Sequence, residues 1–119
     1  MKLLTADQER QMRENGAANA ERSTRGEDCQ DFSPVVKLFC PWSEAIWLLT
    51  ELDPEDPDLA FGLCDLGMGF PEFGTVRLSE LQAYRGPLGL GIERDLHFRP
   101  DKPISAYIDA ATGAGRIVS

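Results

Sequence analysis

Four apolar runs crowd the middle of this chain: SPVVKLFC (33–40), EAIWLLTEL (44–52), LAFGLCDL (59–66) and EFGTVRL (72–78). Each mixes β-branched, aromatic and aliphatic residues between turn-forming residues, which is the composition of a strand. The connections between them are Pro-Trp-Ser, DPEDPD and GMGFP. A parallel crossover takes about a dozen residues or more, so connections this short force the runs to fold back as an antiparallel meander. A chain of 119 residues has room for one core and not for two. The predicted fold is therefore α+β: an antiparallel sheet of four to five strands, packed with one or two helices.

The flanks supply the helices. LSELQAY offers Ser79 as an N-cap with Gln82 three residues on, and Leu78, Leu81 and Tyr84 on one face. Thr5 with Gln8 is a second capping-box pattern, predicting a helix from Ala6. Between Glu14 and Gln30 only alanines and Cys29 are apolar, which leaves helix and mobile linker both open. IERDLHF (92–98) alternates Ile92, Leu96 and Phe98 with Glu93, Asp95 and His97, as a last strand or extended edge does. DKPISAYIDAATGAGRIVS reads as an appendage with a short helix ended by Gly113. The predicted organisation is an N-terminal helix and polar mobile segment (1–30), an α+β core (31–100) and a C-terminal extension (101–119).

Charge and cysteines narrow the function classes. The net charge is −8, and residues 44–72 hold eight acidic residues and no basic one. Such a surface repels phosphate backbones, so direct DNA or RNA binding is not expected, whereas a basic protein surface is a suitable partner. Cys29, Cys40 and Cys64 are odd in number, with no CxxC pair, and read as free thiols. One histidine and no ligand pair at metal spacing predict no metal site, and no cofactor motif is present. The N-terminus lacks the apolar stretch of a secretory signal and no run is long enough to span a bilayer, so a cytoplasmic chain with no membrane partner is expected.

The segments VVKLFCPWSEAIWLLTELDPED, LAFGLCDL and FGTVRLSELQAYRGPLGLGIERDLHFRP, with MKLLT at the start, carry a resemblance. The chain resembles a bacterial family known as domain of unknown function 2958, found on plasmids, phages and other mobile elements. RGPLGLxIERDLxF is its long signature here. Residues 12–32 and the C-terminal tail depart from the usual pattern. The resemblance implies a mobile-element setting and no particular activity.

Three constellations carry candidate chemistry. Glu93, Asp95 and His97 share one face if residues 92–98 are extended, and a carboxylate beside a histidine suits acid–base work. The RGPLGLG loop, with Arg85 and Arg94, has glycines able to cradle an anion and arginines able to grip it, although GxxxxGK[ST] and GxGxxG are absent. Its plainer reading is geometric: Gly86 as a left-handed helix cap, Pro87 as a stop, and the arginines paired with Glu80, Glu93 or Asp95. The third is ELDPEDPD (51–58), in which Glu51, Asp53, Glu55, Asp56 and Asp58 can imitate a phosphate backbone, with Trp42 as a nearby exposed anchor. Its plainer reading is a solvated hairpin loop. The expected function is a non-catalytic acidic interaction protein of a mobile element, a candidate nucleic-acid-mimicking inhibitor of a host defence complex of anti-CRISPR or anti-restriction type. The competing expectation is a small enzyme or ligand-binding domain around Arg85, Arg94 and His97. An exposed edge strand makes a dimer possible.

Overall fold

The computed structural model describes residues 2–119. Its centre is one five-stranded antiparallel sheet in the order β4-β3-β2-β1-β5, formed by β1 (Val36–Phe39), β2 (Ile46–Leu52), β3 (Leu59–Asp65), β4 (Glu72–Arg77) and β5 (Glu93–Arg94). The first four strands are the predicted meander, and the α+β fold class follows directly from their short connections.

Both faces of the sheet are covered. β2 shows why: in IWLLTEL, Trp47, Leu48, Leu49, Thr50 and Leu52 are all buried, so adjacent side chains on opposite faces need cover. Helix α1 (Ala6–Thr24) and helix α2 (Leu78–Ala83) lie on the face that carries Val36, Leu38, Trp47 and Leu49. Helix α3 (Ile104–Ala114) lies on the other, where Ile104, Tyr107 and Ala111 meet Leu48 and Leu63. Among the described residues no helix is long and apolar enough to cross a membrane.

The polar stretch that left helix and linker open is helix through Thr24. Its capping box forms as predicted, Gln8 N–H donating to the Thr5 hydroxyl and Thr5 N–H to the Gln8 side chain. What docks it on the sheet is mostly polar or small: Met12, Asn15, Gly16 and Asn19 are the buried positions. The β2–β3 register shifts between Leu49 and Glu51, a bulge that takes Thr50 out of the ladder. Asn15 Nδ2 donates to the Thr50 carbonyl at 2.9 Å.

The tail is equally integral. The Asp65 carboxylate, 2% exposed, accepts from Gly67 N–H at 2.8 Å and Ile117 N–H at 2.9 Å, fixing both the β3–β4 turn and the C-terminal segment. The left-handed residue that ends α3 is Gly115, at φ 73°, rather than Gly113.

Candidate functional site

The acidic run forms the β2–β3 hairpin. Asp53 Oδ1 accepts from Glu55 N–H at 2.9 Å, closing a turn on its own backbone. Arg77, at the end of β4, donates to Asp56 at 2.9 Å and lies 3.7 Å from Asp58. Asp58 accepts from both the Ser79 amide (2.9 Å) and the Ser79 hydroxyl (2.6 Å), while its carbonyl takes Leu78 N–H. Asp58 thus caps α2 from across the fold, and Ser79, which reads locally as the cap, is the donor instead. The Ser79 hydroxyl and amide, then Arg77, hold the Asp58 carboxyl below the usual range. Glu51 is half-buried, accepts from Asn19 Nδ2 at 2.9 Å, and is pushed above the usual range by that burial. Glu55 alone of the five has an exposed carboxylate with no partner among the described residues.

Trp42 lies elsewhere. Successive hairpins of a meander point to opposite ends of the sheet, so the β1–β2 turn that holds Trp42 is a full strand length from the acidic hairpin. Its ring is half-buried, stacked on Tyr84 with centroids 5.7 Å apart and an interplanar angle of 11°. Gly86 is needed beneath that stack: a Cβ there would stand 2.2 Å from the Trp42 ring. Gly86 is extended (φ −103°), so close approach to Trp42, not a left-handed cap, is its role. The left-handed positions of this loop are Leu88 (φ 59°) and Gly89 (φ 73°).

The residues of the competing site are dispersed. The strand covers only Glu93–Arg94, after which Asp95 Oδ1 accepts from His97 N–H and the chain turns, so Glu93, Asp95 and His97 do not form one extended face. His97 is exposed. Arg94 reaches across to the N-terminal segment and donates to the Leu3 carbonyl at 3.0 Å and the Lys2 carbonyl at 3.3 Å. Arg85 donates to the Gln82 and Tyr84 carbonyls, both at 2.8 Å, closing the end of α2. It shares a shallow recess of about 320 Å³ with Glu93. Asp95 pairs with Lys37 at 3.6 Å on the rim of a different cleft, of about 560 Å³, between the β1–β2 hairpin and the end of α3. Neither arginine makes the ion pair with Glu80, Glu93 or Asp95 that the sequence suggests. Backbone carbonyls take them.

No group of His, Cys, Asp and Glu among the described residues has metal-binding geometry. Burial, with Glu72 nearby, pushes the Cys64 thiol up to about 11, away from the thiolate form that nucleophilic chemistry uses. One feature of the surface lies outside the three constellations. The β3–β4 turn exposes Leu66, Met68 and Phe70 at 62%, 71% and 79%, and Phe73 follows at 48%. The available signal was three large apolar residues inside a glycine-punctuated turn, where a turn is ordinarily polar.

These features define an α/β/α-layered protein with an antiparallel sheet, an acidic hairpin at one end and an apolar hairpin tip at the other. The chain belongs to the family described as protein of unknown function (DUF2958), whose model matches residues 3–118. The match includes the segment 12–32 and the tail, both of which belong to the fold described above. No curated protein and no solved structure matches the chain.

Proposed function

We propose that this protein is a non-catalytic interaction module that presents the acidic β2–β3 hairpin to a basic protein surface. The observation that carries the reading is that three of the hairpin carboxylates are partly open to solvent yet held in place. Asp53 is fixed by Glu55 N–H, Asp56 by Arg77, and Asp58 by Ser79. Five acidic side chains against one arginine leave the patch at a net −4. A pre-set array loses little side-chain entropy on binding, and opposite potentials accelerate encounter. Fixed spacing is also what imitation of a phosphate backbone requires. In the mobile-element setting that the family resemblance suggests, the fitting role is occupation of a nucleic-acid groove in a cytoplasmic host defence complex.

The test uses a variant that spares the fold. Asp53→Asn keeps the side-chain oxygen that closes the turn, and Glu55→Lys touches no intramolecular partner. Removing one negative charge and reversing another takes the patch from −4 to −1. Capture from host lysate along a salt series is expected to yield a basic partner that is lost as salt rises. The double variant should bind that partner at least about tenfold more weakly, a loss of about 1.4 kcal/mol. Unchanged affinity in a folded double variant overturns the acidic-hairpin reading.

A further inference from the structure

We infer that β4 is a self-association edge, and that two copies of this chain pair antiparallel through it to form one continuous ten-stranded sheet. This goes beyond the acidic-hairpin reading and does not depend on it.

The two edges of the sheet are unequal. At one, β5 contributes only Glu93 and Arg94, and so short a strand offers little to pair with. At the other, β4 runs six residues in unbroken register with β3, from Cys64↔Glu72 to Leu59↔Arg77. Edge strands of monomers are ordinarily blunted by lysine, proline, bulges or inward charges. Phe73, Gly74, Thr75 and Val76 have none of these, and the charges stand only at the two ends.

The strand is also complementary to itself. A two-fold axis normal to the sheet keeps each side chain on its own face, so paired residues must have numbers of equal parity. Centred on Thr75, the pairs are Phe73 with Arg77 of the second copy, Gly74 with Val76 of the second copy, and Thr75 with its own equivalent. Threonines facing each other are a favoured cross-strand pair. Arg77, already held by Asp56 and Asp58, meets a half-exposed aromatic ring, which suits a cation–π contact. No atom stands within 4 Å of where a Gly74 Cβ would be, so there is room for the facing valine. A register centred on Gly74 instead sets Glu72 against Val76 and glycine against glycine, and loses all of this.

Electrostatics favour the antiparallel arrangement. Each acidic hairpin sits at the Arg77 end of its own β4. Antiparallel pairing sends the two hairpins to opposite ends, with the Arg77 positions about 14 Å apart along the strands, beyond the screening length of about 8 Å at physiological salt. Side-by-side alignment would bring the two acidic loops together. A stable dimer needs about 800 Å² from each copy. Phe73 stands in the strand itself, and the turn that leads into β4 carries exposed Met68 and Phe70, together on the order of 400 Å² of mostly apolar surface that adds to the backbone edge.

Sedimentation velocity of the full chain over a micromolar to sub-millimolar series tests the inference. The expected result is growth from 13.2 kDa to twice that mass, favoured by added salt because each copy carries −8. A complex made by the acidic hairpin responds to salt in the opposite sense, so failure of one proposal is distinguishable from failure of the other. Thr75→Lys and Thr75→Glu each place like charges across the axis and should each weaken the dimer at least about tenfold. Mixing the two variants should restore it as a heterodimer. In the wild type, amide exchange should slow in β4 alone as concentration rises. A chain that stays at 13.2 kDa at every concentration, a dimer unaffected by either substitution, or β4 amides indifferent to concentration would each overturn the inference.

Discussion

At the scale of single residues, Glu51 shows how one position can serve structure and titrate with it. Its carboxylate is half-buried beside α1 and accepts from Asn19, but burial outweighs that hydrogen bond and raises its pKa above the ordinary 4.5. A raised carboxyl pKa means the folded state holds the proton more tightly than the unfolded chain does. Its contribution to stability is therefore fully present below the unfolded pKa and is lost as pH rises through the folded one. Glu51→Gln keeps an oxygen for Asn19 and never ionises. The expected outcome is a variant equal to the wild type near pH 3 and more stable at pH 7, with the gap opening through the range just above pH 4.5. Thermal melts along a pH series check this, and a gap that closes with rising pH would be the wrong sign. Asp58 works the other way, since its lowered pKa gives stability that is lost as pH falls.

At the scale of elements, the contact of α1 with β2 turns on Gly16, where a Cβ would lie 1.8 Å from the Leu52 carbonyl oxygen. In an isolated helix Gly→Ala is worth about 1 kcal/mol in favour of alanine. Here the neighbour is backbone and cannot swing aside, so the steric effect wins and Gly16→Ala should destabilise by about 2–4 kcal/mol in urea unfolding. A stabilised variant would mean that α1 does not seat here. The same contact explains what the sequence did and did not disclose. The start of α1 was legible because Thr5 and Gln8 are local, three residues apart. Its inner face was not, because Asn15, Gly16 and Asn19 show no apolar period and owe their burial to a bulge and a carbonyl more than thirty residues away. The start of α2 departs from its local capping pattern for the same reason, since the cap comes from Asp58, 21 residues before Ser79. α3 repeats the device, with Asp31 accepting from the amide and hydroxyl of Ser105. The acidic hairpin was legible as a turn, but its pairing with Arg77 depends on the β3–β4 hairpin folding back. The dispersal of Arg85, Arg94 and His97 follows from contacts that alternation in sequence does not encode: Arg85 closes the end of α2, Arg94 reaches the N-terminal segment, and His97 lies in the turn closed by Asp95.

At the scale of the whole molecule, the ends of the chain close the fold. Arg94 ties the N-terminal segment to the short edge strand, and Asp65 ties Ile117 to the turn after β3. Among the described residues, the tail carries the only helix that shields Leu48 and Leu63, which are 0% and 1% exposed. Burying a side chain such as Ile104, Tyr107 or Ile117 is worth about 1.5–3 kcal/mol, so the three together stabilise by roughly 5–9 kcal/mol. A domain of this size has a net stability of about 5–15 kcal/mol. Removing residues 103–119 therefore takes away an amount comparable to the whole. The expected outcome is a chain with no cooperative melt, an open Leu48–Leu63 face and strong dye binding. Ile117→Ala, which leaves the helix in place, should instead lower stability by about 2–4 kcal/mol and keep a single transition. An appendage would give the opposite pattern: a truncated chain melting as cooperatively as the full one, and an Ile117→Ala variant that melts with it. The deciding quantity is the area that α3 covers, and the two melts read it directly.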